Sequence, residues 1–177
     1  MGFEHVIPLG LDHILFITAL FFLNSQIKSA VIQCSLFTLA HSITLALVAM
    51  GYVQANTRIV ESIIAISIFF VALENVFESK IKSWRLVLVF CFGLIHGMGF
   101  ASSLKEIGVP QNEFIEALLG FNIGVEVAQV AIIVACYLCI AKWLLHKNWY
   151  NQVLVRGVSI LIAGIGLFWS IERFIAY

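Results

Sequence analysis

Charge is what this sequence has least of. Asp, Glu, Lys and Arg make up 11% of its 177 residues, against 62% hydrophobic residues and a mean hydropathy of +1.03. That balance excludes an ordinary soluble domain and identifies an integral membrane protein. Neither sign of charge predominates, with ten basic and ten acidic side chains, so no basic patch suits nucleic acid and no acidic tail implies disorder. The apolar runs lack period-2 alternation, which excludes a transmembrane β-barrel. Linkers, low-complexity stretches and repeats are missing too, so residues 1–177 read as a single transmembrane helical domain. No HExxH, GxSxG, P-loop or Rossmann glycine pattern occurs, and no catalytic residue is assigned. Cys34, Cys91, Cys136 and Cys139 all lie in apolar runs and read as packing residues, the last two without a second CxxC.

What is present is a series of apolar segments, at about 5–23, 29–50, 58–77, 86–104, 113–144 and 153–174. Each is long enough to cross roughly 30 Å of hydrocarbon at about 1.5 Å per residue. The expected fold is therefore all-α, a polytopic bundle of about six transmembrane helices. The first run lacks a basic leader and a small-residue cleavage site, so a retained span is expected. The fifth is long for one upright span, and Gly120, Asn122 and Gly124 predict an interfacial turn, tilt or kink near its start. Lys28, Lys80, Lys82, Arg85, Lys142, Lys147 and Arg156 fall at one set of helix ends, against Arg58, Lys105 and Arg173 at the other. Positive charge concentrates in the cytoplasm, so both termini are expected outside.

Counting about 1.5 Å per residue from the outer helix ends puts His13 about 12 Å deep, His41 about 13 Å and His96 about 12 Å. Asn122 and Glu126 share a face of the fifth helix about 13 to 19 Å down. An ionisable group near the bilayer centre is unfavourable by roughly 2.5 kcal/mol or more, so several at one depth need pairing, water or a bound ion. One intramembrane histidine is commonly a hydrogen-bonded helix contact; three at matched depth favour a shared site. The candidate metal ligands are His13, His41, His96, Glu126 and Asp12, a nitrogen and oxygen set suited to a divalent transition metal such as Ni, Co or Zn. Asp12 either ligates or orients a liganding imidazole. His5, Glu61, Asn122 and Ser42 are candidates for supporting contacts or an access route, and Glu74 for an inner gate. Gly93 with Gly97, and Gly120 with Gly124, have GxxxG spacing, which predicts close approach of the fourth and fifth helices and of His96 to Glu126.

At these residues the chain resembles the HupE/UreJ family, in its second branch. The matching stretches are HVIPLGLDHILFITALFF, LFTLAHSITLAL, VESIIAISIFFVALENV, FGLIHGMGFASSL and LGFNIGVEVAQ. The resemblance implies a bacterial inner-membrane, multi-pass nickel or cobalt permease, and implicates His5, Asp12, His13, His41, His96, Asn122 and Glu126. The interval from His5 to Asp12 is one residue longer than a His-x5-Asp-His pattern. Transport of Ni, Co or Zn is the leading expectation. An intramembrane zinc-dependent hydrolase acting on a lipid or peptide, and a metal-binding structural or regulatory protein, share the same site. Expected partners are membrane lipids and the metal ion, with no nucleic acid and with homo-oligomerisation open.

Overall fold

The computed structural model describes residues 1–78, 80–106 and 114–175, with side chains 100–106 outside the description. All regular elements among the described residues are helical. The first apolar run is not one helix. It divides into α1 (Gly2–Val6) and α2 (Leu11–Phe22), separated by a cis Ile7–Pro8 peptide and by Gly10 at the start of α2. Proline lacks the N–H that a continuing helix requires and disfavours a helical residue before it; Ile7 is accordingly extended, at φ −125° and ψ 117°. Twelve residues rise about 18 Å, so α2 alone does not match a hydrocarbon core of about 30 Å.

α3 runs Ile27–Ala49, α4 Thr57–Phe77 and α5 Ser83–Glu106. The Asn56 side chain caps α4 by accepting the Ile59 N–H at 3.4 Å. α6 (Phe114–Cys136) passes through a π-helical turn, Tyr137–Ala141, into α7 (Lys142–Leu144), and a second π-helical turn, Tyr150–Val155, leads into α8 (Arg156–Ile175). By length and composition four stretches can cross a membrane: Ile27–Ala49, Thr57–Phe77, Phe114–Leu144 and Tyr150–Ile175. Leu11–Phe22 is a shorter apolar helix, and Ser83–Gly99 is the part of the 24-residue α5 whose side chains are described. The irregularity expected near Gly120 and Gly124 lies instead at Tyr137–Ala141, because a helix without proline continues through both glycines.

Short α2 is the centre of the bundle. Phe16, Ile17, Ala19, Leu20, Phe21 and Phe22 are all buried, which accounts for a helix apolar on every side. It packs on α3, α4 and α6, while α3 pairs with α5, and α4 with α8. Apolar side chains also point outward, among them Leu39, Ile123, Leu161 and Phe168, a surface that suits lipid rather than water.

Glycine decides two of these contacts. A Cβ on Gly97 would stand 2.2 Å from the His41 carbonyl oxygen, and one on Gly93 2.5 Å from that of Phe37. The GxxxG face of α5 therefore seats on α3, not on α6, and carries His96 towards His41 rather than towards Glu126. Gly124 faces α1, where a Cβ would lie 2.7 Å from the Phe3 nitrogen; Gly120 has nothing within 4 Å.

Met1, Glu61 at the start of α4 and Arg173 near the end of α8 border one cavity, so both ends of the described chain meet at one end of the bundle. Arg85, counted above among the charges at the cytoplasmic helix ends, belongs to α5 and is fully buried; the Lys105 side chain lies outside the described residues.

Candidate functional site

Four imidazoles meet where α1, α2, α3 and α5 converge. His5 and His13 have ring centroids 4.7 Å apart, His13 and His96 5.4 Å, His13 and His41 6.0 Å, and His5 and His41 6.1 Å. The break at Pro8 makes this possible, because it folds His5 back over the start of α2. His13, His41 and His96 are 4%, 1% and 2% exposed.

Hydrogen bonds fix the orientation of two rings. The Asp12 Oδ1 accepts the His13 backbone N–H at 2.8 Å and lies 3.1 Å from His13 Nδ1. A carboxylate is an acceptor, so Nδ1 carries the hydrogen and Nε2 the lone pair. Ser67 of α4 donates its hydroxyl hydrogen to the Ile64 carbonyl at 2.7 Å and lies 3.0 Å from His96 Nε2. With its hydrogen committed, Ser67 accepts from Nε2–H, and the lone pair of His96 resides on Nδ1. His13 Nε2, His96 Nδ1 and both nitrogens of His41 are buried with no hydrogen-bond partner among the described residues. Buried imidazole nitrogens normally find one, so the layer has unused donor and acceptor capacity.

An open cavity of about 440 Å³ reaches this layer from the end of the bundle that carries Met1; it is bordered by Glu4, His5, Asp12, His13, Glu61 and His96. His41 lies deeper, with its ring stacked on Phe121 of α6 at 6.4 Å. Phe16 and Phe37 pack against His96, their centroids 5.4 and 4.9 Å from its ring. Among the described residues, no three His, Cys, Asp or Glu side chains are gathered tightly enough to hold an ion as they stand. The rings meet edge to face, whereas ligands about 2.0–2.1 Å from a tetrahedral ion have donors only about 3.4 Å apart.

HupE / UreJ protein is the description of the family whose profile matches residues 1–173. The chain belongs to the HupE/UreJ family. Neither a curated protein nor a solved structure matches it. The HupE/UreJ match takes in all four clustered histidines, and the family together with the apolar helices makes this a membrane protein.

Other candidates in this HupE/UreJ chain lie apart from the cluster. Glu126 accepts from the Ser35 hydroxyl at 2.5 Å on the α3–α6 seam and does not border the cavity. Asn122 donates to the Leu118 carbonyl at 2.9 Å, its Oδ1 buried without a partner among the described residues. Ser42 donates along its own helix to the Thr38 carbonyl at 2.6 Å. Glu74 pairs with buried Arg85 towards the opposite end of the bundle. Ser67, Phe16 and Phe37 were not singled out from the sequence. Ser67 offered one signal: it is a polar residue in the apolar middle of α4, between Glu61 and Glu74.

Proposed function

We propose that this HupE/UreJ protein carries a divalent transition-metal ion, nickel or a close relative, across a bacterial inner membrane through the histidine layer. The supporting observation is the set of buried imidazole nitrogens on His13, His41 and His96 beside His5, with His5, His13 and His96 bordering a cavity open at one end. Family membership adds its association with nickel and cobalt transport. Six crossings with both chain ends outside would make that cavity the external vestibule.

In this reading the ion passes a mouth bordered by Glu4, Glu61, Arg173 and the Met1 amine, the last paired with Glu4 at 3.0 Å. Small ring rotations then bring Nε2 of His13, Nδ1 of His96 and one nitrogen each of His5 and His41 to ligand spacing. Asp12 and Ser67 orient rings and do not ligate, the arrangement that raises imidazole basicity and fixes the tautomer. Glu126 lies on the seam beside the site and tunes the position of α6 against α3. Imidazole donors suit Ni²⁺, Co²⁺ and Zn²⁺ alike, so selectivity rests on geometry and supply.

The open cavity also favours a second reading, an intramembrane zinc hydrolase in which three histidines hold the ion and a water completes it. Elemental analysis after a chelator wash separates the two. A carrier releases its nickel to the chelator and rebinds it on dialysis. A near-stoichiometric zinc that survives the wash contradicts transport and supports the hydrolase.

A further inference from the structure

The other half of the bundle buries a second polar cluster that the histidine layer does not use. Arg85 of α5 is 0% exposed. Its Nη1 pairs with Glu74 Oε2 of α4 and lies 3.4 Å from Asn75 Oδ1, while Nε donates to Gln33 Oε1 of α3 at 2.8 Å. Asn75 Nδ2 donates in turn to the Ala19 carbonyl of α2 at 2.7 Å. Four helices are thus joined through one guanidinium. Yet the set is incompletely satisfied: Glu74 Oε1 and Arg85 Nη2 are buried with no partner among the described residues.

Stability alone is a weak reason for this cluster, since well-packed apolar residues commonly replace a buried ion pair without loss. Its position is more telling. A crevice of about 480 Å³, bordered by Asn24, Ser29, Gln33 and Lys80, reaches Gln33 from the end opposite the histidine cavity. From His41 to Gln33 along α3, and from Ser67 to Glu74 along α4, the rise is about 10 to 12 Å. Buried Phe16, Leu20, Cys34 and Phe37 fall within that interval, beside the Thr38–Gln129 pair that joins α3 to α6. The bundle has a cavity at each end, a largely apolar seal between them, and a carboxylate with two amide oxygens around one cation just beneath the seal. Carboxylate and carbonyl oxygens also ligate divalent ions, and they suit nickel less well than imidazole does.

We infer that Glu74, Asn75 and Gln33 form an inner cation site that Arg85 occupies as a tethered guanidinium, and that a divalent ion leaving the histidine layer displaces Arg85 to open the inner end. This rests on the transport reading above. Displacement exchanges one cation for another at Glu74, so the carboxylate is never left uncompensated, and the freed guanidinium reaches water in the inner crevice.

Ni²⁺ bound in detergent, counted by equilibrium dialysis, tests the site. Wild type is expected to bind one equivalent, Arg85→Gln a second, and Arg85→Gln/Glu74→Gln one again, with Arg85→Lys behaving as wild type. A single equivalent in folded Arg85→Gln overturns the inference. If that variant does not fold, the native latch carries the test, with Cys91, Cys136 and Cys139 replaced by serine. Cys34, beside Gln33 in the seal, is then expected to react with a small water-soluble methanethiosulfonate about tenfold faster under saturating Ni²⁺, as a minor inner-open state gains population. A rate insensitive to Ni²⁺ overturns it. Nickel flux in wild type with one equivalent in Arg85→Gln refutes this inference alone. A second equivalent in Arg85→Gln without wild-type flux refutes transport and leaves the inner site standing.

Discussion

The Ser67 hydroxyl oxygen lies 3.0 Å from Nε2 of His96 while its hydrogen is directed to the Ile64 carbonyl. A serine on one helix thereby sets the tautomer of a histidine on another. Ser67→Ala leaves Nε2 without its acceptor and the ring free to turn. Removing such an orienting contact weakens metal binding about 10- to 100-fold. Titration calorimetry with Ni²⁺ should show that loss with the stoichiometry unchanged.

Asp12 is expected to act in the same manner on His13. Asp12→Ala should weaken binding about 10- to 100-fold, and Asp12→Asn, which keeps an acceptor oxygen, should recover most of it. X-ray absorption of the nickel-loaded protein checks the role separately. An orienting Asp12 predicts the same metal–ligand shell in wild type and Asp12→Asn, whereas a liganding carboxylate predicts loss of an oxygen scatterer.

His5 stands one residue outside the expected spacing to Asp12, but the α1–α2 break brings its ring within 4.7 Å of that of His13. His5→Ala is therefore expected to lower the number of imidazole scatterers around nickel by one, read by the same spectroscopy. An unchanged imidazole count would remove His5 from the site.

Substitutions at two glycines should separate by contact. Gly97→Ala drives a Cβ to 2.2 Å from the His41 carbonyl, and forcing α5 off α3 costs about 1–3 kcal/mol. Gly120→Ala meets nothing within 4 Å and gains helix propensity, up to about 1 kcal/mol. Thermal unfolding in detergent, followed by the loss of monodisperse protein, should rank Gly97→Ala below wild type and Gly120→Ala level with it or above.

Composition and run length were enough to read a helical membrane protein, since low charge coincides with high hydropathy and apolar runs long enough to span a bilayer. Histidines at matched depth were legible as well, because helical rise converts sequence position into depth. What one sequence leaves open is which neighbour a helix faces. Glu126 and Gln129 share a stripe of α6, and that stripe meets Ser35 and Thr38 of α3. The glycine face of α5 was visible from its spacing, but nothing in the spacing distinguished α3 from α6 as its partner. Arg85 resembled a loop charge because it follows Lys80 and Lys82 at a helix boundary, and its carboxylate partner lies across a turn on another helix. Reading 5–23 as one span passed over Pro8, whose consequence, the return of His5 to the layer, depends on tertiary packing.

Uptake of nickel by proteoliposomes holding an internal fluorescent chelator tests the central claim most directly. The account predicts saturable flux in wild type, lost at least tenfold in His41→Ala and in His96→Ala, both verified as folded, since each removes an imidazole from the layer. Absence of flux in wild type, or flux unchanged by either substitution, would contradict it.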